Sequence, residues 1–326
     1  DLRMSRGLGD VYKRQNFMLR GKKGLLLLIG AVLAVAGGSG YWYHQQQSAS
    51  TTVQQTSQKD RVLKKKITLV AIGDSLTHGQ GDDKSEQGYV GRIRKKLQKH
   101  YHNRVTTYNY GVTGDRSDQM LKRLNEQPEM RANLKKADVI VMTVGGNDLM
   151  QKLESNLLSN STNKIESNIE QAGTTYQQKL NELLTAVRKQ NATAPIFMYG
   201  IYDPVYTYFP DVSIINESVA KWNQITKQTV AQYGPSYFVD INHLMSYGQY
   251  KTAKQRQKLS QQAQKANSDQ ITQKQVIAIM NNDTHNLNNY ISTEDNFHPN
   301  SKGYDQMTNA LYKVMLQHDD WEYQQE

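Results

Sequence analysis

The chain has 326 residues, 37% hydrophobic and 21% charged, and no cysteine, which excludes disulfide frameworks, Cys-ligated metal and thiol nucleophiles together. Its formal charge of +10 suggests a nucleic-acid partner until the charge is located: residues 1–66 hold 12 Lys or Arg against 3 acids, leaving 28 against 27 for residues 67–326. A nucleic-acid reader needs its basic charge on the folded surface, so no nucleic-acid partner is expected.

Residues 1–17 show no helical or strand period and read as adapter-derived sequence, with Met18 as the expected start and MLRGKK as a basic leader. Gly24 to Tyr43, GLLLLIGAVLAVAGGSGYWY, is a run of twenty residues without charge. At 1.5 Å per helical residue such a run covers about 30 Å, the thickness of a bilayer's hydrocarbon core. Lys22 and Lys23 precede it and Tyr41-Trp42-Tyr43 closes it, so residues 18–44 are expected to form a single-pass membrane anchor with the bulk of the chain outside the cytoplasm. A cleaved signal peptide, with Ala34-Val35-Ala36 as its small-residue site, is the competing reading, and it too exports the protein. Residues 45–65, rich in Gln, Ser and Thr, read as a polar linker, and the folded domain is expected over 66–326.

Beyond Lys66, short apolar runs alternate with helical patterns. Strands are predicted at Ile67–Ile72, Val105–Tyr110, Ala137–Val144, Pro195–Ile201 and Tyr237–Ile241. Helices are predicted at Tyr89–His100, from Ser117 to Leu124, at Ile165–Lys189, at Asn216–Tyr233 with Val219, Trp222 and Ile225 on one face, and at Ser301–Gln317. Buried strands with intervening helices mean an α/β fold, a three-layer α/β/α sandwich on a mainly parallel five-stranded sheet. In such sheets, sites lie at the carboxyl ends of the strands. Lys251–Asn289, rich in Gln, Asn and Lys, reads as a solvated helical insertion, and a lid over the site is the alternative.

Three strand ends carry polar motifs: Gly73-Asp74-Ser75-Leu76, Gly111-Val112-Thr113-Gly114-Asp115 and Gly145-Gly146-Asn147-Asp148. A fourth cluster, Asp295-Asn296-Phe297-His298-Pro299, precedes the last helix. Serine becomes a nucleophile only when a base takes its proton and an acid holds that base in the right tautomer. Ser75, His298 and Asp295 supply the three types, and one local turn brings Asp295 to the ring nitrogen facing away from Ser75. The backbone amides of Ser75 and Gly114 and the side-chain amide of Asn147 are candidate donors to an oxyanion. Asp74 is expected to brace the loop around Ser75. Each of these residues also has a plainer reading: Ser75 or Asp295 as a helix cap, Asn147 and Asp148 as turn residues, His298 as a loop residue. Tyr202, Tyr206, Tyr208 and Phe209, with Pro204 and Pro210, form an aromatic loop, either packed on the core or walling a substrate. A metal site from Asp283, His285, Asp295 and His298 has the residue types but no spacing that defines a tetrahedron. His78, His100, His102 and His243 are left as surface or core histidines. The elbow G-x-S-x-G fails at Thr77, and no phosphate-binding glycine loop follows a strand.

With GDSL at Gly73–Leu76, NYGVTGDRS at Asn109–Ser117, GGND at Gly145–Asp148 and DNFHP at Asp295–Pro299, the chain resembles the GDSL, or SGNH, hydrolase family of esterases and lipases over roughly residues 66–317. The resemblance implies a flavodoxin-like fold, Ser75 as nucleophile, Gly114 and Asn147 in the oxyanion hole, and His298 with Asp295 completing the triad. Together with the leader, the resemblance leads to the expectation of a membrane-anchored or secreted serine esterase or lipase working through an acyl-serine intermediate, without metal or organic cofactor, on a small-molecule, lipid or glycan ester. A carbohydrate O-acetylesterase acting on cell-wall polysaccharide and a non-catalytic surface binding module are the alternatives.

Overall fold

The computed structural model describes residues 61–157, 162–211, 213–266 and 287–324. The predicted leader, its anchor and most of the linker lie outside the described residues, as do residues 267–286 of the predicted insertion. Among the described residues, no helix is long and apolar enough to cross a membrane.

Five strands form one sheet: β1 (Lys66–Gly73), β2 (Arg104–Gly111), β3 (Val139–Thr143), β4 (Ile196–Tyr199) and β5 (Ser236–Val239). Their order is β2-β1-β3-β4-β5, and every pairing is parallel. The chain builds outward from β1 in one direction to β2 and then in the other through β3, so its path reverses between β1 and β3. A crevice opens outside the carboxyl ends of the strands at such a reversal.

Side chains along each strand alternate between two cores, as the period of 2 requires. Val70, Ile72, Ile140, Met142 and Met198 face one side, and Leu69, Ala71, Val139, Val141, Phe197 and Tyr199 face the other. The first core is closed by α3 (Ser117–Glu126), α4 (Pro128–Lys135), α5 (Gly146–Leu157), α6 (Thr162–Gln190) and α7 (Ser213–Val230), through residues such as Met120, Met130, Leu149, Leu180 and Trp222. The second is closed by α2 (Gly88–Tyr101), α8 (Asn242–Tyr247) and α10 (Ser301–Gln317), through Tyr89, Ile93, Met245, Tyr304 and Leu311. Each buried Leu or Ile of this kind contributes roughly 1.5–3 kcal/mol. The three-layer sandwich and the five strands are therefore as the sequence predicts, with edge strands β2 and β5 only half-buried because each has a single neighbour.

Four α-helices escape the sequence reading: α1 (Ser75–His78), α4, α5 and α8. Of the predicted insertion, α9 (Ala253–Ala266) is a mostly exposed helix with Leu259 buried. At the opposite end of the sheet from the motifs, residues 62–64 pair antiparallel with residues 322–324. Leu63 bridges Tyr323, the Lys64 amide donates to the Glu322 carbonyl (2.8 Å), and the Gln324 amide donates to Val62 (2.9 Å).

Candidate active site

The turn from β1 into α1 is held by contacts that leave no room for a side chain at Gly73. A Cβ there would lie 2.2 Å from the hydroxyl oxygens of both Thr143 and Thr77. Asp74 is the N-cap of α1, accepting the Leu76 amide (3.0 Å) and the Thr143 hydroxyl (2.8 Å). Burial raises the Asp74 carboxyl above its ordinary value, and these donors offset part of that rise. Asp74 braces the turn, as expected. Ser75, read as a possible cap, is instead the first helical residue, which leaves its hydroxyl free of helix duty.

That hydroxyl meets an imidazole from the far end of the chain. His298 Nε2 lies 2.7 Å from Ser75 Oγ, and His298 Nδ1 lies 2.5 Å from Asp295 Oδ2. Asn296, in the left-handed region at φ 50, turns the chain so that both contacts form. The other Asp295 oxygen accepts the backbone amides of Phe297 (3.0 Å) and His298 (2.9 Å). Burial pushes the Asp295 carboxyl up, but the hydrogen bonds and charge of His298 and the Phe297 amide outweigh it and hold it down to about 2. An ionised Asp295 fixes the proton on Nδ1, so the lone pair on Nε2 faces Ser75. Asp295 does not cap the last helix; Asn300 does, accepting the Gly303 amide (3.0 Å).

The structure brings the remaining predicted residues to the same rim. Gly114 has φ +83, a conformation that favours glycine, and nothing lies within 4 Å of where a Cβ would sit. Asn147 and Asp148 are not turn residues but the first turn of α5. One Asn147 Nδ2 hydrogen goes to the Asp115 carbonyl (2.9 Å), leaving the second for a ligand. Asp148, its carboxyl raised by burial, accepts the Ser117 hydroxyl (2.6 Å) and amide (3.0 Å) and so docks α3 on α5. Arg123 ties the same loop to the sheet by binding Asp115 (2.5 Å) and the Tyr110 carbonyl (3.1 Å).

Sequence reasoning missed the clamp that holds the two halves of the site in register. Arg92, almost fully buried, donates to both Asp82 oxygens (2.6 and 2.9 Å) and to Asp305 (2.9 Å). Asp82 and Asp83 in turn accept from Ser301, at the start of α10 and three residues beyond His298. The available clue was an arginine on the apolar face of a predicted helix, between Val90 and Ile93; a charge there must be paired.

The aromatic loop divides between the two readings given to it. Tyr208 and Phe209 pack with Val205 and Ile215 as a small core of their own, and Tyr206 lies against Tyr247 (4.6 Å between centroids). Tyr202 instead lines a cavity beside Ser75, together with Asn147, Gly200, Ile201 and Phe297. Of the other histidines, His78 and His102 are exposed, His100 bonds the Tyr312 hydroxyl (2.7 Å), and His243 stacks on Tyr247 (4.8 Å). Asp283 and His285, named for a metal site, lie outside the described residues.

A parallel α/β/α sandwich with this rim is the framework of an ester-hydrolysing serine hydrolase. The chain belongs to the GDSL-like Lipase/Acylhydrolase family, whose sequence profile matches residues 69–311. It is similar to the uncharacterized protein YpmR of Bacillus subtilis (strain 168), 27% identical over 253 residues, or 77% of this chain and 82% of that one. It is also similar to the spore germination lipase LipC of Bacillus licheniformis, 29% identical over 166 residues that cover 50% of this chain and 74% of LipC. Among solved structures, the lipase Lip_vut3 from a goat rumen metagenome shares the fold, with a TM-score of 0.54 and 22% identity over 76% of this chain and 97% of that one.

Proposed function

We propose that Ser75 is the nucleophile, His298 the general base and Asp295 its orienting acid in hydrolysis of carboxylic esters through an acyl-serine intermediate. The relay of 2.7 and 2.5 Å contacts joining residues 223 positions apart in sequence carries the reading. Ser75 Oγ bonds to the ester carbonyl carbon while its proton passes to His298 Nε2. The resulting oxyanion takes hydrogen bonds from the Ser75 and Gly114 amides and the free Asn147 hydrogen. The carbon–alkoxide bond then breaks, and the alkoxide leaves with the proton from His298. Water attacks the acyl-enzyme, giving its proton to His298, and the acid departs as the proton returns to Ser75.

The likeness to a spore germination lipase supports carboxylic esters as the substrate class. The uncharged run Gly24–Tyr43, with basic residues before it and aromatics at its end, supports an anchor that holds the domain outside the cytoplasm. Treatment with a fluorophosphonate probe tests the chemistry. Labelling that disappears in Ser75→Ala, with turnover lowered on the order of 10⁴-fold or more, is expected. A folded Ser75→Ala protein that still hydrolyses esters near the wild-type rate overturns the assignment, and a folded wild-type protein that never labels points to a binding module. Retention in the membrane pellet after a high-salt wash, with release by detergent, tests the anchor.

A further inference from the structure

The cavity beside Ser75 is small, with about 30 Å³ open to the centre of a water-sized sphere, room for a few waters. Its walls come from the ends of β1, β3 and β4, where Ser75, Asn147, Ile201 and Tyr202 stand, and from Phe297; neither His298 nor Asp295 lines it. The base must reach the alkoxide as it leaves, so the alcohol belongs on the His298 side and the acyl group enters the cavity.

The far wall has little freedom to retreat. The Ile201 amide donates to Asn223 Oδ1 (2.7 Å) and its carbonyl accepts from Asn223 Nδ2 (2.8 Å), so one side chain of α7 grips both backbone groups. The neighbouring Gly200 is packed against the same side chain, since a Cβ there would sit 2.6 Å from Asn223 Oδ1. The Tyr202 hydroxyl donates to the Phe297 carbonyl (2.8 Å), which closes the remaining side. Moving Ile201 outward would leave both of these backbone groups without their partner. The rim around Gly114 is the reverse: Val112, Thr113 and Gly114 are all exposed.

From this asymmetry we infer that the enzyme takes acetyl-sized acyl groups on bulky alcohols, with Ile201, gripped by Asn223, as the residue that stops longer chains. The inference rests on Ser75 as nucleophile. The full-length protein in detergent is assayed on p-nitrophenyl acetate, butyrate and octanoate, with fluorophosphonate labelling run beside it. Acetate is expected to exceed octanoate in kcat/KM by about 100-fold or more, the discrimination that a few excluded methylenes supply. Ile201→Ala should raise the octanoate-to-acetate ratio about 10-fold or more, and Ile201→Val should move it the same way by less. Release of acetate from a peracetylated oligosaccharide is the expected result for the open rim; no release, with p-nitrophenyl acetate still cleaved, overturns the bulky-alcohol half. Octanoate cleaved as fast as acetate by a wild-type protein that labels at Ser75 overturns the acyl limit while leaving the nucleophile in place. A protein that neither labels nor cleaves any ester overturns both.

Discussion

Asp203 provides a quantitative test of how the wall of the site is held. It follows Tyr202 directly, is 1% exposed, and pairs with no cation among the described ion pairs. Burial raises its carboxyl from 3.8 to about 7, and the backbone amides of Val205 and Tyr206 offset only part of that rise. Between those two values the folded state holds a proton that the unfolded chain has released, so stability falls as pH climbs through this window. The penalty is absent below about pH 4 and complete above about pH 7. At about 1.4 kcal/mol per tenfold change in proton affinity, the full cost reaches about 4 kcal/mol, an upper bound given that water and small shifts relieve buried charge. Asp203→Asn keeps an oxygen for both amides and cannot ionise. It should match wild type within about 1 kcal/mol at pH 4.5 and exceed it by about 2–4 kcal/mol at pH 8, or about 5–15 °C in Tm for a domain of this size. Thermal melts of the two proteins at both pH values make the measurement. Glu322, raised by burial to about 8, has the same sign in both proteins, so the difference between them isolates Asp203. An Asn variant no more stable than wild type at pH 8 would refute the reasoning.

Four further outcomes follow from the geometry. Asp295→Asn should keep the fold and KM but lower kcat on the order of 10³–10⁴-fold, because an amide facing Nδ1 favours the wrong tautomer; steady-state kinetics on an acetyl ester decide it. The same carboxyl, held at about 2 against 3.8 unfolded, gives stability that is present above about pH 4 and lost as pH falls through about 2, so wild type should lose its advantage over Asp295→Asn in acid melts. Arg92→Gln leaves the almost fully buried Asp82 side chain without its cation and should cost about 3–5 kcal/mol in denaturant unfolding, whereas a cost below about 1 kcal/mol would show that the clamp is ornamental. Thr143→Val removes the donor 2.8 Å from buried Asp74 and should lower kcat with little change in KM; an unchanged kcat would deny Asp74 its bracing role.

The strands were legible because a parallel central strand is apolar on both faces, as ITLVAI and ADVIVMTV are. The meeting of Ser75, His298 and Asp295 was legible because these residues sit at a strand end and in one short turn, where local sequence governs geometry. What escaped depended on distance. Helix α4 offers only Met130 and Leu134 to the core in eight residues, too little for a periodic pattern. Helix α5 begins within GGND, and its Leu149 and Leu153 four residues apart were masked by glycines that read as a turn. The grip of Asn223 on Ile201 joins positions 22 apart on different elements, and nothing in either segment marks it.

Chain entry and exit leave the domain side by side, through the pairing of residues 62–64 with 322–324. From there β1 runs its eight residues, about 26 Å at strand rise, before Ser75 is reached. Among the described residues, both ends of the domain therefore lie at one pole, away from Ser75. A tag, a reporter or a second module fused after Gln324 should leave ester turnover as it was, and a mechanical pull on the linker is borne first by the clasp and only afterwards by the sheet.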